Sequence, residues 1–176
     1  MLVAAAESDP AALLTYNDYG FEHDGPDQDR KRDAVLVLRR RLRARNVRIH
    51  ALGIQSHLTA RPGGLHFKEL NKFFKELKKL NLQVFITELD VDDRELSSRH
   101  RQTRQAVAAV YREYLETVLH HSAAKAILTW DLSDRDTWLN TFHPRRDGLP
   151  KRPLPFEASL QAKPAFSAMC EAITAP

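Results

Sequence analysis

With 176 residues, 43% of them hydrophobic and 28% charged, the sequence is long enough for one ordinary globular domain, 1–176, with a real core. No apolar run approaches the roughly 18–20 residues of a membrane span, and the single Cys170 excludes an internal disulfide or a cysteine metal cluster. The formal charge of +4 comes largely from Arg30-Lys31-Arg32 and the run from Arg39 to Arg45. Ala34, Val35, Leu38 and Leu42 form an apolar stripe at helical spacing through that run, and no aromatic residues interleave to stack on bases. The arginines are therefore expected on the outer face of a packed helix, not on nucleic acid.

In chain order, residues 1–8 read as the tail of a helix stopped by Asp9-Pro10, without the basic start of a secretory signal. Either a cytosolic location or a further N-terminal segment is expected. Leu13 to Tyr16 reads as a buried strand ending in Asn17-Asp18-Tyr19, with Asn17 and Tyr19 on one face. An acidic loop (Glu22, Asp24, Asp27, Asp29) lacks the calcium-loop spacing and fits helix N-terminal acids. The Arg-rich helix is predicted from about Asp29 to Arg45.

The pattern repeats. Ile49 to Ile54 reads as a strand ending in Gln55-Ser56-His57, with Gln55 and His57 sharing a face. A loop through Arg61-Pro62-Gly63-Gly64 leads to a helix marked by Leu70, Phe73, Phe74, Leu77 and Leu80. Val84-Phe85-Ile86-Thr87 then runs into Glu88, and alternation puts Glu88 and Asp90 on one side with Leu89 on the other. That stretch alone leaves open whether the strand ends at Thr87. A polar loop (Asp92 to Ser98) precedes a helix marked by Val107, Val110, Tyr111, Tyr114, Leu115 and Val118. Ala126 to Thr129 is the fourth strand, ending in Trp130-Asp131. A long loop from Leu132 to about Lys163 carries Trp138, and Pro164 opens a helix to about Ile173.

Four apolar strands, each followed by a helix, predict an α/β chain with a parallel sheet. No glycine-rich phosphate loop follows any strand, which argues against a nucleotide-binding sheet. Polar or aromatic groups stand at all four strand ends, where (β/α)₈ barrels build their sites, yet a barrel needs eight strands and about 250 residues.

Four blocks carry a resemblance: Leu14-Thr15-Tyr16-Asn17-Asp18-Tyr19, Gly53-Ile54-Gln55-Ser56-His57-Leu58, Ile86-Thr87-Glu88-Leu89-Asp90 and Thr129-Trp130-Asp131-Leu132-Ser133-Asp134. In order and spacing they resemble glycoside hydrolase family 10, the endo-β-1,4-xylanases, over strands 5–8 of a (β/α)₈ TIM barrel. The segment from Pro153 to Phe166 looks like the family's closing stretch. The resemblance implies a retaining enzyme acting on xylan or xylo-oligosaccharides without a cofactor or metal, in a family that is generally exported. It makes Glu88 the nucleophile, hydrogen-bonded by His57, which Asp90 holds in turn. Asn17 and Gln55 would bond sugar hydroxyls. Tyr19, Trp130 and Trp138 would stack on xylose rings. His23, His50, His66, His100, His120, His121 and His143 receive no role.

Two departures stand out. The family usually has glycine after the strand-8 tryptophan, where this sequence has Asp131. The family's acid/base glutamate, from an Asn-Glu pair on strand 4, has no counterpart, because the sequence contains no Asn-Glu dipeptide. A C-terminal half-barrel, weakly active or inactive alone, is therefore expected, with a non-catalytic xylan-binding half-barrel as the alternative. Four strands would also leave open edges that invite self-association.

Overall fold

The computed structural model describes residues 2–62, 65–96 and 100–175. Gly63 and Gly64 of the expected second loop, and Ser97 and Ser98 of the third, lie outside them. Two compact units emerge: Met1–Ser56, Phe67–Thr87 and His121–Ile127 make the first, His57–His66, Glu88–His120 and Leu128–Pro176 the second, within the described residues.

The first unit opens with α1 (Leu2–Ser8), then β1 (Thr15–Asp18) and α2 (Pro26–Ala44). β1 pairs in parallel with β2 (Ala51–Ile54), Thr15 opposite Ala51 and Asp18 opposite Ile54. β2 pairs in turn with the first part of β4 (Gln83–Asp92), Ala51 opposite Gln83 and Ile54 opposite Ile86. Proline at the first turn of α2, with Asp27 and Asp29 beside it, presets the backbone and complements the helix dipole. In α3 (Lys68–Lys79), Leu70, Phe73, Phe74 and Leu77 are buried at the predicted period. Burial of each such side chain contributes about 1.5–3 kcal/mol. After α2 and α3 stand Asn46 and Asn81, both left-handed at φ 54, a conformation asparagine tolerates at a helix end.

Several boundaries differ from the sequence reading. β1 starts later than Leu13, because the Leu14 N–H donates to the His50 ring Nδ1 at 2.8 Å instead of to a strand. α2 begins at Pro26, and its buried residues are Arg32, Val35 and Leu36, whereas Ala34 is exposed. Arg32 can be buried because its guanidinium donates to the carbonyls of Phe21 and His23 and pairs with Asp29. After β2, the chain turns at Ser56 (φ 68) and resumes as an unexpected strand, β3 (His57–Thr59).

In the second unit β3 runs parallel to the last part of β4, His57 opposite Asp90 and Thr59 opposite Asp92. The strand does not end at Thr87, and Asp92 closes β4 instead of opening a loop. α4 (His100–Leu119) buries the six predicted residues Val107, Val110, Tyr111, Tyr114, Leu115 and Val118. It packs on α6 (Pro164–Thr174), whose Ala165, Ala168 and Ala172 are buried, small side chains that let two helices approach closely. The long loop contains α5 (Leu139–Phe142) and is tied by isolated bridges from Phe156 to Ser133 and Ala162. β5 (Ala124–Thr129) pairs with β4 and exposes Lys125, Ala126 and Leu128, as an edge strand does. Among the described residues no helix is long and apolar enough to cross a membrane.

Candidate active site

β4 builds the site through a slip in its alternation. Val84 and Ile86 are buried while Gln83, Phe85 and Thr87 are half-buried; Glu88 is then half-buried as well. From Ile86 to Asp90 the strand spends four steps, where the paired chain from Ile54 to His57 spends three. One extra residue in a strand is a bulge, and bulges re-aim side chains beside active sites. Strict alternation from Val84 would have sent Glu88 to the buried face. Glu88 is half-buried instead.

Glu88, His57, Asp90 and Trp138 form a hydrogen-bonded chain in the second unit. His57 Nε2 lies 3.2 Å from Glu88 Oε2 and Nδ1 lies 3.1 Å from Asp90 Oδ1. The other Asp90 oxygen accepts the Trp138 indole N–H at 2.8 Å, and the Trp138 ring meets the imidazole edge-on at 5.0 Å. Asp90 is fully buried, while the Glu88 side chain keeps 16% of its surface exposed. Burial works against the His57 cation, but the hydrogen bond and charge of Asp90, with those of Glu88, outweigh it and raise the His57 pKa. A protonated imidazole donates at both nitrogens, so it can serve both carboxylates at once. Burial also pushes the Asp90 pKa up, against the pull of His57 and Trp138.

This arrangement predicts a titration result. His57 should titrate by NMR above the ordinary imidazole value of about 6.5, and Asp90→Asn should bring its midpoint below that of the unaltered protein, because burial then meets less opposition. An unchanged midpoint would refute the coupling. Because the folded pKa is the higher one, the stabilisation from this pair is complete below the unfolded value and fades as pH rises through the folded one.

Behind the site the acids after Asp90 are each neutralised. Asp92 accepts the buried Lys151 ammonium, and Asp93 lies 3.1 Å from the Arg145 guanidinium, which also binds Asp147 at 2.7 Å. Asp134 takes the Lys163 ammonium at 2.7 Å. Sequence reading missed these pairs, since the lysines and Arg145 lie in the loop it left without structure. Glu22 was missed too. It is 2% exposed and accepts the N–H groups of Phe21 (2.8 Å) and Ser56 (3.0 Å), which holds the left-handed residue just before His57.

The other expected residues lie as follows. Trp130, in the second unit, is 44% exposed, and its backbone N–H donates to the Leu89 carbonyl at 3.2 Å. Asn17, Tyr19 and Gln55 belong to the first unit. Asn17 Oδ1 accepts the Thr87 hydroxyl at 2.8 Å and sits so close to Gly53 that a Cβ there would come within 2.4 Å of it. Any side chain at position 53 would displace Asn17. Tyr19 is exposed, with the Lys31 ammonium 4.1 Å from its ring centroid, so one aromatic face is already occupied. Gln55 is half-buried, and its backbone N–H donates to the Asp18 carbonyl at 3.0 Å.

Asp131 adopts φ 75, a left-handed backbone in which glycine is unstrained and side chains are disfavoured. Asp131→Gly should therefore raise stability by about 0.5 kcal/mol, once glycine's greater loss of freedom on folding is set against the relieved strain. Thermal unfolding checks this, and a lower midpoint would contradict it.

Set beside known proteins, the chain matches the family model described as glycosyl hydrolase family 10 over residues 2–172. It is 31% identical to endo-1,4-beta-xylanase B of Thermotoga neapolitana over 97% of its own length and 46% of that protein's. Endo-1,4-beta-xylanase 5 of Pyricularia oryzae is 31% identical over 98% of this chain and 40% of its own. Native xylanase 10B from Thermotoga maritima superposes with a TM-score of 0.84 at 27% identity, covering 98% of this chain and 50% of that one. Xylanase 10B from Thermotoga petrophila RKU-1, solved in complex with xylobiose, gives the same TM-score at 26% identity, covering 98% and 49%. The chain thus spans less than half the length of the curated relatives it matches, and its parallel strands with their helices are those of a partial (β/α)₈ barrel. Matched from residue 2 to residue 172, the chain belongs to glycosyl hydrolase family 10.

Proposed function

We propose that residues 1–176 are one half of a retaining endo-1,4-β-xylanase domain and carry its nucleophile, Glu88. The observation that carries this reading is the Glu88–His57–Asp90–Trp138 chain at the end of β4. Glu88 attacks the anomeric carbon of a xylose unit and forms a glycosyl-enzyme ester, which water then hydrolyses. His57 holds the attacking carboxylate, Asp90 and Trp138 hold His57, and Asn17 and Gln55 bond sugar hydroxyls. Trp130, Trp138 and the free face of Tyr19 stack on sugar rings. The reading needs no cofactor.

A retaining glycosidase requires a second carboxyl group about 5–5.5 Å from the first. In this reading that group is the glutamate of the family's Asn-Glu pair, from a segment this chain does not contain. Without it the leaving oxygen goes unprotonated, which forfeits on the order of 10²–10⁴ in rate. The chain alone is therefore weakly active or inactive. The open edges at β1 and β5 would accept that missing segment, or a second copy of the chain. The test is turnover in a completed barrel before and after loss of Glu88.

Exposure of Trp130 supports a second reading, a half-barrel that binds xylan without cleaving it. Retention of the chain on immobilised xylan, lost in Trp138→Ala with no sugar released, is the expected result in that case. Passage of the unaltered chain straight through the column would dismiss it.

A further inference from the structure

A cavity of about 750 Å³ opens in the second unit, lined by Arg94, Glu95, Phe142, His143, Pro144 and Arg146. It adjoins the site through its aromatic wall: the Phe142 ring lies 4.9 Å from that of Trp138, and Phe142 is 63% exposed. A sugar chain stacked on Trp138 would meet Phe142 next. Guanidinium groups dominate the remaining wall. Arg146 is exposed and makes no ion pair among the described residues. Arg94 reaches Asp92 at 3.4 Å, but Asp92 is already neutralised by the buried Lys151. Glu95, the acid among these lining residues, lies 3.4 Å from the Arg61 guanidinium. His143 stands edge-on to Phe142 at 4.5 Å.

An exposed aromatic face beside an uncommitted guanidinium suits a ligand that is both a sugar and an anion, because the ring takes the apolar face and Arg146 the carboxylate. The volume lies within the range of small-ligand sites. We infer that this cavity is a subsite for a uronic acid branch on the xylan backbone, so that the protein prefers acidic xylan to the unbranched polymer. The inference rests on the xylan reading above and adds to it the class of decoration.

The test is calorimetric titration of the chain with two probes of equal backbone length, a linear uncharged xylo-oligosaccharide and the same oligosaccharide bearing one glucuronic acid branch. The acidic probe should bind about tenfold more tightly, the scale of one charge-assisted hydrogen bond at a partly exposed site. Raised salt should shrink that gap, and Arg146→Ala should abolish it while leaving affinity for the uncharged probe unchanged. Equal affinities, or a gap that survives Arg146→Ala, would overturn the subsite and leave the xylan reading standing. Binding of neither probe would overturn the subsite together with the reading of the chain as a xylan-binding half-barrel, and the nucleophile would still be judged by turnover in the completed barrel.

Discussion

Glu88→Ala, in a barrel completed by the segment that supplies the acid/base glutamate, is expected to lower xylan turnover by roughly 10⁴-fold or more, as loss of a covalent nucleophile does elsewhere. The side chain's role predicts how the activity is lost. In the proposed role, Glu88 forms the ester to the anomeric carbon as the glycosidic bond breaks and the acid protonates the departing oxygen. With alanine no ester forms, yet the methyl group leaves a space beside His57 that a small anion can enter. Added azide should therefore restore part of the turnover on a substrate with a good leaving group, giving a glycosyl azide of inverted configuration. His57→Ala should cost less, because it removes the group that orients Glu88 and spares the nucleophile. Unimpaired hydrolysis by the Glu88→Ala protein would dismiss the assignment.

Lys163→Met is expected to destabilise the fold by about 3–5 kcal/mol, the usual result of stripping one partner from a buried ion pair. The Lys163 side chain is 1% exposed, and its ammonium binds both oxygens of Asp134 at 2.7 and 3.0 Å and donates to the Arg152 carbonyl at 2.9 Å. Without it, Asp134 keeps the Leu154 N–H at 3.0 Å but has no countercharge. Burial already pushes the Asp134 pKa up to about 6, against the pull of Lys163. Its folded pKa exceeds the unfolded one, so the folded state binds the proton more tightly and the penalty for the ionised form falls as pH drops through 6. In the variant, the deficit seen by denaturant unfolding should be largest above that pH and smaller near pH 5, where Asp134 is protonated. A deficit that does not vary with pH would show that lost packing, and not the stranded carboxylate, is responsible.

Periodicity and residue type located most elements. Four of the five residues expected to mark α3, and all six expected to mark α4, are buried, because a helix that must cover a sheet needs a stripe at 3.6 spacing; Leu80 is half-buried and stands just past the end of α3. Less was legible where a polar group is buried. Nothing in the local sequence marks Arg32, Glu22, Lys151 or Lys163 as buried, and each is buried because it meets carbonyls, N–H groups or a countercharge from another stretch. Local patterns carry no information about such partners. The same limit hid β3, whose pairing depends on the left-handed turn at Ser56.

For the site itself, the sequence alone determined the residue types, the expected sharing of a face by Glu88 and Asp90, and the absence of an Asn-Glu pair. Those follow from the covalent order and the two-residue period of a strand. Tertiary structure decided the rest. It put one extra residue into β4 between the position paired with Ile54 and the position paired with His57. It brought Trp138, 48 residues away, to the second oxygen of Asp90, completing a hydrogen-bonded chain that ends at the candidate nucleophile. Strand period is a property of neighbours in sequence; a bulge and a loop that folds back depend on what the rest of the chain packs against them.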